Sequence, residues 1–403
     1  MELSKFVTEL EKQYNNLKEK GIIHRRFKHN DILPIIERQR KNTLFEVKEL
    51  GKSTENREIY LIKAGTGKTK VLLWSQMHGN EPTATGAVFD ILNFLSSDLL
   101  KDEKKSILSE LSLYIVPMVN PDGAQVFKRR NAIDIDLNRD AARLEATETK
   151  ILKKLRDDIN PDFGFNLHDQ EIYYTAGATA NPATISFLTP SFNVEKDIDH
   201  SRRASMELIV LMNQLLQKYI PNQIGRYNDD FMPTAFGDNM QKWGTSTILI
   251  ESGGYKNDPE KQVVRKMNFL GIMAALYNLS LGNQDEIYYM DYFKIPENKK
   301  EKLFDLLIRN ANIQLNGQNF VTDIGIRRKE VDNEEFTKFK YKGEIADIGD
   351  LSYYFGYDEI DANGLSALTN EKYLLIGNKA DFHLVDSDNK IIYHIHNGFM
   401  VAG

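Results

Sequence analysis

Two stretches of the chain carry a histidine and a glutamate three positions apart, His78-Gly79-Asn80-Glu81 and His168-Asp169-Gln170-Glu171. Such a pair can ligate a divalent metal, since an imidazole nitrogen and a carboxylate oxygen are both ordinary zinc donors. Spacing alone does not choose between them, and with eight histidines in the chain an isolated pair is as readily a capping or solvated one. A catalytic zinc takes three protein ligands and keeps one position open. His78, Glu81 and His168 supply that set, each after an apolar, strand-like run. The chain has no cysteine, so any metal must be held by His, Asp, Glu or water.

Glu251 closes the apolar run Ser246-Thr247-Ile248-Leu249-Ile250 and is followed by Ser252-Gly253-Gly254. A carboxylate there is placed like a base at a strand end, with a salt-bridged strand terminus as the alternative. Between the two histidines lie the turn Asn120-Pro121-Asp122-Gly123, the basic run Lys128-Arg129-Arg130 and the segment Asp136-Leu137-Asn138-Arg139-Asp140.

Taken in order, these motifs resemble the zinc carboxypeptidases of the carboxypeptidase A type, over about residues 58 to 280: HGNEPT, NPDG, an arginine, DLNR, a strand ending in His and a strand ending in Glu. The resemblance implies one zinc per chain on His78, Glu81 and His168. It implies a catalytic role for Glu251 as general base and acid toward a zinc-bound water, and for Arg129 as the cation on the scissile carbonyl. Asn138 and Arg139 are implied to grip the substrate's terminal carboxylate, and Asp136 to hydrogen-bond the zinc ligand His78. The expected activity is hydrolysis of the C-terminal bond of a peptide or peptide-like substrate with a free carboxylate. A zinc amide hydrolase acting on an acylated amino acid or cell-wall peptide, and a non-catalytic zinc- or peptide-binding protein, are the alternatives.

The chain departs from the family at two places. Classical members carry a tyrosine upstream of the catalytic glutamate; here that position falls in Asn228-Asp229-Asp230, with Tyr227 beside it. Either Tyr227 binds substrate from a shifted loop, or acids replace that contact and favour a substrate with an amine near its end. After His168 the family has a small or hydroxyl residue, whereas Asp169, Gln170 and Glu171 follow here and are candidates to line the pocket. The pocket floor falls near Phe236-Gly237-Asp238-Asn239.

The elements that must position these residues can be traced by periodicity. Strand-like runs alternate with helical ones from 44 to 280, which predicts an α/β domain with a largely buried mixed sheet. The resemblance makes that an eight-stranded-type sheet with helices on both faces. Phe6, Leu10, Tyr14 and Leu17, then Ile32, Ile35 and Ile36, predict two helices before it. After about 295, one helix to about 310 is expected, followed by β-like segments such as KYLLIG, ADFHLV and KIIYHIH. The expected division is 1–42 helical, 43–285 catalytic and 286–403 a small β-rich domain. His394 and His396 share a strand face there and are read as structural.

Composition sets the remaining bounds. The chain has 403 residues, 41% of them hydrophobic, enough for two or three domains. The formal net charge of -6, with acids and bases interspersed, favours neither nucleic acid nor an anionic membrane as partner. The N-terminus has no apolar core of a signal peptide, and no run of some 18 apolar residues occurs, so a cytoplasmic location with no membrane span is expected. Oligomeric state is not readable.

Overall fold

A computed structural model describes residues 1–282, 287–371 and 373–401. Two compact units divide the chain: Met1–Ile172 with Ala183–Asn298, and Tyr173–Pro182 with Lys299–Gly403. The expected boundary at 285/286 lies outside the described residues.

The first unit begins with α1 (Leu3–Leu17) and α2 (His29–Arg40), followed by β1 (Phe45–Lys52), β2 (Glu58–Ala64) and β3 (Thr69–Ser75). Next come α3 (Thr83–Ser96), α4 (Lys101–Glu110), β4 (Leu111–Val116), α5 (Thr147–Ile159) and β5 (Phe163–Asp169). The unit continues with β6 (Ile185–Leu188), α6 (His200–Leu216), β7 (Ile224–Arg226), α7 (Phe236–Lys242), β8 (Ser246–Ser252) and α8 (Gln262–Leu281). The eight strands form one mixed sheet in the order β1-β2-β4-β3-β5-β8-β6-β7. The chain thus has the mixed, helix-covered sheet that its alternating pattern predicts.

Its central strands are apolar on both faces, as strands covered by helices must be. Along β3, Val71 and Leu73 enter one core and Leu72 and Trp74 the other. The first core takes residues from α1, α2, α3, α6 and α8, and the second from α5 and α7. The apolar stripe of α1 closes on α8, where the Phe6 and Tyr277 rings lie 4.4 Å apart. A bidentate ion pair joins α3 to α8: Arg265 donates from Nε to Asp90 Oδ2 at 2.8 Å and from Nη2 to Asp90 Oδ1 at 2.5 Å. Tyr14 Oη and the Glu19 amide also donate to Asp90, so this buried charge is fully hydrogen-bonded.

In the centre of the sheet, β3, β5 and β8 run parallel. Their carboxyl ends therefore open at one edge, where α/β sheets gather their sites. The parallel register sets His168 opposite Glu251.

In the second unit, β9 (Leu303–Leu315), β10 (Gln318–Asp332), β11 (Phe339–Gly349), β13 (Ser366–Leu368), β14 (Phe382–Val385), β15 (Ile391–His396) and β16 (Phe399–Val401) form a sheet in the order β11-β10-β9-β13-β14-β15-β16. Strand β12 (Phe355–Asp361) pairs with β9 in parallel. The helix expected to about 310 is not formed: those residues open β9. The run Leu303 to Ile308 is buried at every position because both faces of β9 are covered, Leu306 and Ile308 entering one apolar cluster and Phe304 and Leu307 another. A short continuous apolar run fits a buried strand and a buried helix equally, and pairing on both sides decides for the strand. His394 and His396 do share a face of β15, and His383 stands directly across from His394.

Candidate metal centre

The turn that leaves β3 carries the first two candidate ligands into the mouth of the sheet. Gly79 has no substitute there, since a Cβ would come within 2.0 Å of the Gly123 backbone. Asn120 braces the same turn, accepting from the Gly123 amide at 2.8 Å and donating to the carbonyls of Met77 and Arg129, both at 3.3 Å. The NPDG turn is thus a strut that fixes the His78 loop to the Arg129 loop.

His78, Glu81 and His168 are all buried, and one potential ligand atom from each lies within 4.8 Å of the others. Glu81 spans the histidines, with Oε1 2.8 Å from His78 Nδ1 and Oε2 2.7 Å from His168 Nδ1. His78 Nε2 lies 3.1 Å from Asp136 Oδ1. A carboxylate there accepts a hydrogen bond from Nε2–H and leaves Nδ1 as the lone-pair nitrogen, the usual way an outer carboxylate fixes a ligating imidazole. Nδ1 and the Glu81 oxygen are then two acceptors facing each other, an arrangement that a cation resolves. The donor set, two imidazoles and one carboxylate, suits zinc.

Arg129 bends over this trio. Its Nε donates to Asp136 Oδ2 at 3.0 Å, and Nη1 lies 3.2 Å from both His78 Nδ1 and Glu81 Oε1. Burial raises the Asp136 carboxyl, but His78 and Arg129 outweigh it and hold the group well below the ordinary range. Burial likewise raises Glu81, and the two imidazoles overcome it so that the carboxylate form is held.

Glu251 projects from the end of β8, half-buried, with Oε2 shielded from solvent and lacking any hydrogen-bond partner. Burial first, then the Glu81 and Asp169 carboxylates, lifts it well above the usual carboxylate range, and Lys261 and Arg129 offset part of the rise.

The Asn138 side-chain oxygen accepts from the Phe236 amide at 2.9 Å, which fixes the carboxamide against the start of α7. Arg139 is exposed and donates from Nη1 to the Asn138 carbonyl at 2.7 Å. Tyr227 is half-buried at the end of β7, its amide donating to the Phe187 carbonyl at 3.0 Å.

The acids at the family's tyrosine position are already engaged. Asp229 pairs with the buried Arg202 and with Lys196 at 3.3 Å, and Asp230 pairs with Lys196 at 2.6 Å. Asp229 is therefore turned into the protein, whereas the Asp230 side chain stays exposed beside Lys196.

After His168, only Glu171 is exposed. Asp169 turns inward to Lys261 Nζ at 3.3 Å and to Thr83 Oγ1 at 2.5 Å. Gln170 ties β5 to the β6 region through the Ala183 carbonyl at 2.6 Å and Ser186 Oγ at 3.0 Å. Both side chains brace the fold instead of lining a pocket. Lys261 has no counterpart in the sequence reading, because a lysine at a helix start gives no signal of what it meets 92 positions away in the chain. Asp238 near the expected pocket floor is buried as well, and burial pushes its carboxyl up to about 6, with Arg139 and Arg202 opposing.

A mixed α/β sheet whose parallel strand ends bring together two histidines and two glutamates frames a candidate metal centre. Comparison with known proteins narrows this. A family model described as zinc carboxypeptidase matches residues 37–183. Carboxypeptidase 2 of Trichophyton tonsurans is 30% identical over 122 residues, which is 30% of this chain and 21% of that protein. Among solved structures, a metallo-carboxypeptidase from Burkholderia cenocepacia superimposes with a TM-score of 0.51 at 17% identity, covering 64% of this chain and 70% of that one. The carboxypeptidase A of Helicoverpa armigera gives 0.51 at 15% identity, covering 68% and 81%. The chain spans about a fifth of the length of the curated relatives it matches. The resemblance to zinc carboxypeptidases drawn from the motifs is borne out, and with it the fold and the zinc. Among the described residues, no helix is long and apolar enough to cross a membrane.

Proposed function

We propose that the protein is a zinc metallocarboxypeptidase that hydrolyses the C-terminal peptide bond of a peptide or peptide-like substrate. The observation that carries this reading is the buried His78, Glu81 and His168 trio with Glu251 at the neighbouring strand end, directly in register with His168. Zinc held by the trio would supply Lewis-acid polarisation and bring the pKa of water down to about 7.

Each residue then has work that its surroundings favour. Glu251 takes the proton of the attacking water and passes it to the departing amine. Its desolvated carboxyl, with one oxygen unengaged, is suited to holding a proton between those steps. Arg129 sits on the same rim as the trio and offers a permanent cation to the oxyanion. Asp136 holds the His78 imidazole in the tautomer that ligates through Nδ1. Asn138, whose oxygen is occupied by the Phe236 amide, presents its amide N–H groups, and Arg139 beside it adds a planar fork for a terminal carboxylate. Tyr227 is the remaining candidate for a contact at the substrate's end.

The discriminating experiment compares matched peptides with free and amidated C-termini, with products read by mass. Loss of a single C-terminal residue from the free acid only is expected. Equal cleavage of both forms would remove the carboxylate clamp and favour the amide hydrolase reading.

A further inference from the structure

A buried lysine stands behind the metal trio and the base. Lys261 is 4% exposed and immediately precedes α8, with its backbone in the left-handed region at φ 50°. Lysines usually extend their ammonium to water, and burying one is costly unless each N–H is matched. All three are matched here: Nζ donates to the Ser252 carbonyl at 2.7 Å, the Gln170 carbonyl at 3.1 Å and Asp169 Oδ2 at 3.3 Å.

Those acceptors lie next to the chemistry in the chain. Ser252 follows Glu251 on β8, and Asp169 and Gln170 follow His168 on β5. The ammonium thus clamps the ends of the two strands that deliver the candidate base and one ligand. Thr83, which opens the helix after Glu81, holds Asp169 from a third side. Three segments, each carrying one member of the site, converge on one lysine and its counter-ion.

We propose that Lys261, with Asp169 as its counter-ion, is a positioning residue that sets Glu251 and His168 relative to each other, and so tunes both zinc affinity and the alignment of the base. Its donors are fully used within the protein, so it does not touch the reacting atoms. The distinction from simple charge balance lies in the two main-chain carbonyls, which a neutral pair would leave unheld. The kinetic part of this inference rests on the proposed peptidase activity, and the metal-binding part does not.

The test uses full-length protein as Lys261→Met, Asp169→Asn and the double variant. It reads zinc affinity by chelator competition, the visible spectrum of the cobalt-substituted form, and kcat and KM. Outer contacts to metal ligands are typically worth about 10- to 100-fold in affinity or activity. Lys261→Met is expected to weaken zinc by about 10-fold and to shift the cobalt bands. It should also lower kcat by about 100-fold with KM within about threefold, because a small misplacement acts mainly on the reacting geometry.

Asp169→Asn, which keeps both carbonyl bonds, should lose less on every measure. The double variant has no unpaired buried charge. It should recover thermal stability while keeping the weak zinc binding and low kcat, and it carries the test if Lys261→Met does not fold. Wild-type affinity, spectrum and kcat in the double variant would overturn the proposal and leave the pair as charge balance alone. If the wild type cleaves no peptide, the proposed function fails, while zinc affinity and the cobalt spectrum still decide the role of Lys261.

Discussion

Replacing Asp238 by Asn tests whether the floor beside the candidate carboxylate clamp is as dehydrated as its packing implies. Asp238 lies in the first turn of α7, where Oδ1 accepts from the Met232 amide at 2.8 Å. Burial raises its carboxyl from 3.8 to about 6, against the hydrogen bonds of Met232 and its own amide and the charges of Arg139 and Arg202. A folded-state pKa above the unfolded one means that the fold favours the neutral acid. Its stabilising contribution is full below pH 4 and is lost as pH rises through about 6. At about 1.36 kcal/mol per pH unit, the rise amounts to about 3 kcal/mol of destabilisation at pH 8, good to order of magnitude. Asn keeps the oxygen that accepts from Met232 and does not titrate. Urea unfolding of both proteins at equal metal loading, from pH 4 to pH 8, should therefore show the variant gaining on the wild type from near zero at the acid end to about 3 kcal/mol at the alkaline end. The same ionisation places a second carboxylate near Arg139, so KM for a free-acid peptide should climb above pH 6 in the wild type and less in the variant. A stability difference that is flat with pH, or that falls as pH rises, would refute the reasoning.

Glu251→Gln should retain zinc and lose about 10²- to 10⁴-fold in kcat, the usual worth of a positioned acid-base group. Metal analysis with steady-state kinetics checks it, and equal turnover would sink the proposed mechanism. Asp136→Asn should weaken zinc binding by about 10- to 100-fold, because the Nε2 proton of His78 loses its anionic acceptor. Chelator competition reads that loss. Stripping the metal should lower the melting temperature of the wild type, since a ligand at 100 times its dissociation constant stabilises by about 2.7 kcal/mol. A His168→Ala variant should melt at the same temperature with and without zinc.

The parts of the site that lie next to each other along one strand or turn were legible in the sequence, and those assembled across the fold were not. His78 and Glu81 share a turn, Asp136 to Arg139 form a single short segment, and an apolar run carries Glu251 to a strand end. Periodicity and motif order suffice for these. The fates of Asp169, Gln170 and Asp229 depend on Lys261, Ala183 and Arg202, partners that no local pattern announces. Their polarity suggested contact with substrate because in isolation a polar side chain reads as solvated. In the fold, each polar group is bonded inward. The strand at Leu303–Leu315 failed for the complementary reason: Leu303 to Ile308 are buried on both faces, and burial on both faces erases the period that separates strand from helix.

Charge accounts for the departure next to His168. Four carboxylates, Glu81, Asp136, Asp169 and Glu251, surround the two histidines, and the cations Arg129 and Lys261 stand among them. With all four carboxylates ionised, four negative and two positive formal charges leave an excess of two, which a divalent metal on neutral imidazoles would balance. Asp169 is the acid that the family pattern does not supply, and Lys261 is buried against it. An acid beside a metal ligand would, unaccompanied, strengthen the hold on the metal while repelling the negative charge that develops during hydrolysis. Pairing it with an ammonium that also grips the ends of β5 and β8 cancels the repulsion and keeps the rigidity. On this reasoning, Asp169 and Lys261 act as a coupled pair, and neither should be tolerated alone as well as both are together.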